Sequence, residues 1–252
     1  MEKGDCMDLW NGFQMDRFTF EGKDAIVVFP LEGTSNGRLM LKTEYWNAFP
    51  NVVEIPLLHK GFHLCYLTNE HRWGGDEDLD RKARFVRHLC CKYNLSKRTV
   101  PVGMSCGGLM AIKFAAKYPE LVSCLYLDAP VLNYMSCPCG FGIGDPLFGP
   151  GTDGGVKEIL SALNMSSMSE LICYRKMPLD YIPKLIENQL PVVMVAGDSD
   201  RVVPFVENGY ILQKAYEEAD LDILVIMKAN CGHHPHGLEN PSRVLEFILS
   251  RL

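Results

Sequence analysis

Residues 99–118 read TVPVGMSCGGLMAIKFAAKY, an apolar run that leads through a glycine-rich turn into an apolar helical pattern. The turn GMSCG at 103–107 fits the pattern Gly-x-Ser-x-Gly, in which a serine lies on a sharp turn between a strand and a helix. Glycines flank the serine because Cβ atoms there would clash within so tight a turn. The pattern predicts a strand over 99–102, a helix over 108–118 and a nucleophile at Ser105 between them.

Short apolar runs alternate with helical patterns along the rest of the chain. Runs that are apolar on both faces are typical of parallel strands covered by helices. We therefore expect one α/β domain over residues 1–252, with a doubly wound, mostly parallel sheet and right-handed crossovers. The predicted strands lie at 24–29, 62–67, 121–127, 192–196 and 223–227, with an antiparallel edge strand at 13–20, and the further helices at 79–93, 204–219 and 241–252.

Residues 131–190 interrupt this alternation. They contain no strong strand pattern, and Gly, Pro, Ser and Met are frequent, most of all in 140–155. A long irregular segment of this kind is usually a lid or a binding segment, and less often a surface excursion without a role. We predict a short lid or cap insertion over 131–190 that selects the substrate.

Composition excludes several function classes. The formal net charge of -6 argues against a nucleic-acid partner, because binding to phosphates needs a surplus of Lys and Arg. We find no run of about 18 apolar residues and no secretory signal pattern in the polar N-terminus, so we expect no membrane association. The 10 cysteines include several in apolar runs, and we interpret them as reduced, buried residues of a cytoplasmic protein.

A serine nucleophile needs a base, and the base needs an acid to orient it. When a serine lies on such a turn, the partners follow it in the order acid, then histidine. The loop after the run 192–196 offers Asp200 and Asp198 as the acid, and Asp128 is a more distant alternative. The later segment GHHPHG at 232–237 offers three histidines: His233, His234 and His236.

These motifs together resemble the α/β-hydrolase superfamily. The segment GDSDRVVP at 197–204 resembles its acid loop, which implies that Asp200 is the acid, and GHHPH at 232–236 resembles its histidine loop, which implies that His233 is the base. Residues 37–46 and 232–239 are similar to bacterial esterase-like and prolyl-oligopeptidase-like hydrolases. That resemblance implies cleavage of carboxylic esters, including acetyl esters of carbohydrates.

The remaining site residues follow from position in the sheet. The backbone N–H of Cys106 opens the helix after Ser105 and is predicted to stabilise an oxyanion. We expect a second donor from the loop after the first central strand, at Leu31 or Glu32. Trp73 follows a strand's carboxyl end and, with Tyr134, is a predicted substrate-binding residue. Other candidate pocket aromatics are Tyr45, Trp46, Phe141, Phe148 and Tyr174.

The predicted chemistry is two-step acyl transfer on a small-molecule ester, with Ser105 as nucleophile, His233 as base and Asp200 as orienting acid. This reaction needs no cofactor, and we predict no metal site, although three clustered histidines are also a pattern of metal binding. A peptidase or amidase of prolyl-oligopeptidase type, a carbon–carbon hydrolase or lyase, and a non-catalytic ligand-binding homologue are the alternatives.

Overall fold

A computed structural model describes residues 8–47 and 51–252 and contains a central nine-stranded sheet. The strand order is β1-β2-β3-β5-β4-β6-β7-β8-β9, and the strands from β5 to β9 in that order are parallel. The fold class predicted from the sequence is confirmed. The strands are β1 Asp8–Trp10, β2 Phe13–Phe20, β3 Lys23–Val28, β4 Leu39–Lys42, β5 His63–Leu67, β6 Thr99–Met104, β7 Leu125–Asp128, β8 Val192–Gly197 and β9 Ile223–Lys228.

Helices cover both faces of the sheet, so its apolar strands are buried on two sides. One face packs against α1 and α8, which contribute Leu57, Val244 and Ile248 to a common apolar cluster. The other face packs against α2, α3, α6 and α7. The helices are α1 Glu54–His59, α2 Asp76–Tyr93, α3 Cys106–Lys117, α4 Gly154–Ala162, α5 Met168–Cys173, α6 Ile182–Glu187, α7 Gly209–Glu218 and α8 Ser242–Leu249.

The first three strands run antiparallel to their neighbours, and this part of the sheet differs from the sequence prediction in two ways. β2 is the predicted antiparallel strand, but β1 pairs outside it, so β2 is not at the edge. β4 was not predicted at all. This four-residue strand lies between β5 and β6, with Leu41 opposite Cys65 on one side and Pro101 on the other.

The direction of β3 decides which loops can reach the site. β3 is antiparallel to β5, and Val28 near its end pairs with Leu64 near the start of β5. The chain that follows β3 therefore leaves the sheet at the amino edge of the parallel strands. The chain that follows β4, β6, β8 and β9 leaves at the opposite, carboxyl edge, where ligands bind in sheets of this kind.

The segment 131–190 is partly built into the body of the domain. Leu132, Tyr134 and Cys137 are buried, and α6 packs against α3 on the face of the sheet. Residues 141–143 and 151–153 are exposed. Its predicted role as a lid stays a prediction. Among the residues described, no helix combines the length and the apolar character that crossing a membrane requires.

Candidate active site

Ser105 occupies the turn between β6 and α3. Its backbone has φ +53° and ψ -121°, a region that a residue with a Cβ adopts only at an energetic cost. Three hydrogen bonds hold the turn: Ser105 N–H donates to Asp128 O at 2.9 Å, and Ser105 O accepts from Gly108 N–H at 2.9 Å and from Val131 N–H at 3.1 Å. The turn presents the Ser105 side chain at the carboxyl edge of the sheet, in agreement with the sequence pattern.

The glycines around Ser105 are required by close contacts. A Cβ at Gly103 would lie 2.5 Å from Gly107 O, and a Cβ at Gly108 would lie 2.8 Å from Pro130 Cα. Both distances are shorter than real carbon contacts allow, and the contacting atoms belong to the backbone, which cannot easily move away. The spacing of glycine and serine in residues 103–108 is therefore a consequence of how tightly α3 turns back on β6.

Ser105, His233 and Asp200 form a continuous hydrogen-bonded chain. His233 Nε2 lies 3.1 Å from Ser105 Oγ, and His233 Nδ1 lies 2.7 Å from Asp200 Oδ2. A carboxylate on Nδ1 fixes the proton there and leaves the lone pair of Nε2 facing the serine hydroxyl. Because the Asp200 and His233 side chains are 1% and 8% exposed, water competes little for these contacts.

The acid loop orients Asp200 through its second carboxylate oxygen. Oδ1 accepts hydrogen bonds from the backbone N–H groups of Val202 and Val203, both at 2.8 Å. The alternative acid in the same loop, Asp198, is exposed and accepts a hydrogen bond from Ser199 Oγ at 2.8 Å. The geometry therefore favours Asp200 over Asp198.

The third candidate acid, Asp128, is paired with another histidine. Its Oδ1 lies 2.8 Å from His236 Nδ1, and its Oδ2 accepts hydrogen bonds from Gly237 N–H at 2.5 Å and from Tyr126 Oη at 3.2 Å. The Asp128 and His236 side chains are both fully buried. This pair ties the histidine loop to the end of β7, beside the catalytic candidates but outside their hydrogen-bonded chain.

A cavity of about 280 Å³ opens onto Ser105 and His233. His234 lies at the exposed rim of this cavity. Partial burial lowers its pKa, and the neighbouring His236 and His233 lower that pKa further. The walls combine apolar side chains with one guanidinium group. The lining residues are Tyr45, Arg72, Ser105, Cys106, Cys137, Leu147, Val202, His233 and His234.

The backbone N–H and the thiol of Cys106 have different chemical properties at this site. As the first residue of α3 it has an N–H without an acceptor inside the helix, at the positive end of the helix dipole. Its thiol is buried against the cavity, and burial raises the thiol pKa to about 11. A thiol with such a pKa is protonated at neutral pH and is a poor nucleophile.

Leu31 and Glu32 do not belong to this site. Residues 24–29, predicted as the first central strand, form β3, which is antiparallel. Leu31 and Glu32 follow it at the amino edge of the parallel strands, and both are exposed. The prediction of an oxyanion donor at either residue is wrong because the true central strand, β4, was missed.

The loop after β4, and not the loop that contains Leu31 and Glu32, lies beside Ser105. Thr43 Oγ1 donates to Gly107 O at 2.7 Å, so this loop packs on the first turn of α3. A Cβ at Gly107 would lie 3.3 Å from Glu44 Cβ, another sign of close contact. Tyr45 follows with φ +58°, which turns the chain so that the residue lines the cavity beside Ser105.

A polar network connects Tyr45 to the insertion. Tyr45, Cys106 and Arg72 line the same cavity, and the charge of Arg72 and the thiol of Cys106 both act on the Tyr45 hydroxyl. Arg72 in turn donates to Glu158 of α4 from Nε at 2.7 Å and from Nη2 at 2.6 Å. Burial, with a contribution from Cys106, raises the pKa of Tyr45 well above its usual range, so its hydroxyl remains a hydrogen-bond donor.

Tyr45 was predicted only as one of several candidate pocket aromatics, and Arg72 was not predicted. Arg72 could have been predicted from its position in the loop after β5, because ligands bind at the carboxyl edge of such sheets, where this loop lies. The identity of its partner Glu158, 86 residues away, could not be read from the chain.

Trp73 and Tyr134 are core residues and not walls of the cavity. Both are fully buried, and their rings meet edge to face with centroids 6.0 Å apart. Trp73 Nε1 donates to Glu158 Oε1 at 3.0 Å, and Tyr134 Oη donates to Trp73 O at 3.1 Å. The prediction of both as substrate-binding residues is wrong, because their polar atoms are used to anchor the insertion beneath the site.

Comparison with known proteins supports the fold. No protein-family model and no curated protein matches the sequence. Similar solved structures include the acylaminoacyl peptidase of Pyrococcus horikoshii, with a TM-score of 0.67, 16% identity and 88% of this chain covered. A putative dipeptidyl aminopeptidase IV from Bacteroides ovatus has a TM-score of 0.70, 12% identity and 95% of this chain covered. Porphyromonas gingivalis dipeptidyl peptidase 4 has a TM-score of 0.70, 14% identity and 97% of this chain covered.

This chain corresponds to only 37%, 36% and 36% of the length of those three chains. At such identities the likeness concerns the fold. The sheet order, the strained serine turn and these structural relatives together define an α/β-hydrolase fold.

Proposed function

We propose that this protein is a serine hydrolase that cleaves an acyl compound through a covalent intermediate on Ser105. The observation that carries the proposal is the chain of hydrogen bonds from Ser105 through His233 to Asp200. A serine hydroxyl is a weak nucleophile unless a base takes its proton, and this chain supplies the base and its orienting acid. Each group follows a strand or begins a helix at the same edge of the sheet.

In the first step, Ser105 Oγ attacks the substrate carbonyl while His233 Nε2 takes the proton. Asp200 holds the imidazole in position and stabilises its cation. His233 then passes the proton to the leaving amine or alcohol as the carbon–heteroatom bond breaks. In the second step water, deprotonated by His233, attacks the acyl-enzyme and releases the acid together with free Ser105.

We propose two groups as the donors that stabilise the oxyanion formed at the carbonyl. One is the backbone N–H of Cys106 at the start of α3. The other is the Tyr45 hydroxyl, which lines the same cavity and stays protonated because burial raises its pKa. Donors fixed before the reaction stabilise developing charge with little reorganisation. In this proposal Arg72 acts by holding the Tyr45 hydroxyl in position.

For the substrate we propose an amide or short peptide bond. This choice is supported by the structural relatives, which are an acylaminoacyl peptidase and two proteins of dipeptidyl peptidase type. The small cavity with walls at Cys137, Leu147 and Val202 suits a compact apolar acyl group or side chain next to the scissile bond. The triad chemistry itself does not distinguish an amide from an ester.

A small carboxylic ester, including an acetylated sugar, is the second candidate. The observation that favours it is the charge of the cavity. Among the described residues that line it, Arg72 carries the one permanent charge, and Glu158 already neutralises that charge through two hydrogen bonds. The cavity therefore offers no unpaired ion for the charged terminus of a peptide, whereas a neutral ester requires none.

The test is a substrate panel that contains aminoacyl and dipeptidyl p-nitroanilides, p-nitrophenyl acetate and butyrate, and acetylated xylose. Ser105→Ala controls for the proposed nucleophile, and Ser35→Ala, an exposed residue at the opposite edge of the sheet, controls for a serine substitution. Hydrolysis that requires Ser105 and not Ser35 supports the proposal, and the faster substrate class decides between amide and ester. If Ser105→Ala hydrolyses the panel as fast as the wild type, the proposal is wrong.

A further inference from the structure

Three histidines of the loop after β9 form a compact group at the rim of the cavity. The ring centroids of His233, His234 and His236 lie 5.0, 4.8 and 4.9 Å apart, and each pair of rings meets edge to face. One ring nitrogen of each residue lies within 4.8 Å of one ring nitrogen of the other two. The proposed triad uses only His233 of these three histidines.

Two of these imidazoles are backed by buried carboxylates. Asp200 lies on Nδ1 of His233, and Asp128 lies on Nδ1 of His236. Each carboxylate fixes the proton on Nδ1 and places the lone pair on Nε2. Histidines that bind a metal usually donate the N–H of their other ring nitrogen to a carboxylate. This hydrogen bond orients the ring and makes the coordinating nitrogen more basic. The chain builds this arrangement twice, three residues apart.

The third histidine, His234, is more exposed than the other two. His234 is exposed and lines the cavity, so it lies on the side of the group that an ion can reach from solvent. Zinc binds imidazole nitrogens at about 2.0–2.1 Å in tetrahedral geometry, which places two such nitrogens about 3.3 Å apart. The group therefore needs a contraction of at most about 1.5 Å from the observed limit to hold the ion.

We propose that His233, His234 and His236 bind one Zn²⁺ ion, and that this ion reversibly inhibits the enzyme. Imidazole is a good ligand for zinc, whereas carboxylate and water suit magnesium and calcium. The ion takes the Nε2 lone pair of His233, which then no longer accepts the proton of Ser105. The inhibition rests on the hydrolase function proposed above, and the binding itself does not.

Binding is tested first, without reference to activity. The full chain is titrated with Zn²⁺ in competition with a chromogenic chelator, and wild type is compared with His234→Ala. The expected result is a one-to-one complex whose affinity falls by about tenfold or more in His234→Ala, since even the loss of an outer-sphere partner has an effect of that size. His88→Ala, an exposed histidine on α2, is the matched control and keeps wild-type affinity.

The cysteines need a control of their own, because thiolates also bind zinc. Cys231 lies two residues before His233 and is half-buried. Cys231→Ser is expected to keep wild-type zinc affinity. Equal affinity in His234→Ala and wild type overturns the proposal, and so does a loss of affinity in Cys231→Ser that matches or exceeds the loss in His234→Ala.

Inhibition is then measured as the rate at which a fluorophosphonate probe labels Ser105. Zinc is expected to slow labelling, a chelator to restore it, and His234→Ala to need about tenfold more zinc or more for half inhibition relative to its own zinc-free rate. Labelling that zinc does not slow, at concentrations that fill the site, overturns the inhibitory role. Absence of labelling without zinc counts against the hydrolase function, and the chelator titration still decides the metal site.

Discussion

Asp128 Oδ1 lies 2.8 Å from His236 Nδ1, while Asp200 Oδ2 lies 2.7 Å from His233 Nδ1 three residues earlier in the same loop. Two aspartate–histidine pairs therefore stand side by side at the carboxyl edge of the sheet. Only His233 reaches Ser105, so the pairs have different roles. In the proposed mechanism Asp200 orients the catalytic base, whereas Asp128 ties the loop that carries this base to the end of β7.

Replacement of Asp200 by Asn is expected to lower kcat by about four orders of magnitude while the fold stays intact. An amide in place of the carboxylate favours the wrong tautomer of His233, and its Nε2 then no longer accepts the serine proton. Steady-state kinetics on the best substrate of the panel measure the effect. Asp198→Asn, an exposed neighbour in the same loop, is the matched control and should stay close to wild type; an equal loss in both variants would contradict the assignment.

Asp128→Asn is expected to lower the free energy of unfolding by about 1–3 kcal/mol. The buried carboxylate accepts hydrogen bonds from His236, Gly237 and Tyr126, and the amide leaves at least one of these donors unpaired. Urea denaturation of the variant and of Asp198→Asn measures the difference. Unchanged stability in Asp128→Asn would show that this pair does not anchor the histidine loop.

Tyr45→Phe removes one proposed oxyanion donor and leaves the ring in place. We expect kcat to fall by about 10²–10³ with little change in KM, because the lost hydrogen bond acts mainly in the transition state. Kinetics with the same substrate separate the two constants. A rise in KM with unchanged kcat would instead assign Tyr45 to ground-state binding.

A buried lysine gives the stability a pH dependence. Lys82 is 1% exposed and donates from Nζ to Leu67 O at 2.6 Å. Burial lowers its pKa from 10.5 to about 8, against the opposing effect of Glu44 and Asp78. Below pH 8 the folded and unfolded states are both protonated. Between pH 8 and 10.5 the unfolded state binds more protons, so this lysine makes the free energy of unfolding rise with pH.

The measurement is chemical denaturation of wild type and Lys82→Met at several values between pH 8 and 10. The slope of the free energy of unfolding against pH is expected to be more positive in wild type than in Lys82→Met, by at most about 1.4 kcal/mol per pH unit. Comparison of slopes removes the contribution of cysteines that titrate in the same range. Lys60→Met, an exposed lysine, should keep the wild-type slope. Equal slopes in wild type and Lys82→Met would mean that Lys82 does not titrate in this window.

The sequence predicted the parts of the site that depend on local constraints. The close contacts of Gly103 lie within five residues, at Gly107 and Gly108, so the local pattern indicated the strained turn. Gly107 and Gly108 also meet residues distant in sequence, Glu44 and Pro130, and these contacts could not be read from the pattern. The order of acid and histidine after that turn follows from the fold, which led to Asp200 and His233. Both were placed on loops at the carboxyl edge, where the structure brings them together.

The parts that failed depend on partners distant in sequence. β4 escaped prediction because it has four residues and ends at Lys42, whose buried amino group has its partners later in the chain, Glu54 of α1 at 2.5 Å and Asn51 at 2.7 Å. Without β4 the oxyanion loop was placed after β3, at the wrong edge. Trp73 followed the right strand, but its indole is held in the core by Glu158, which the chain supplies 85 residues later.

The identity of the nucleophile is tested most directly by the mass of the intact protein after reaction with a fluorophosphonate, followed by mapping of the modified peptide. A hydrogen-bonded triad predicts one adduct per chain, on Ser105, that disappears in Ser105→Ala and persists in Ser35→Ala. An unmodified wild-type protein would favour a ligand-binding role for the fold, and an adduct on another residue would contradict Ser105 as the nucleophile.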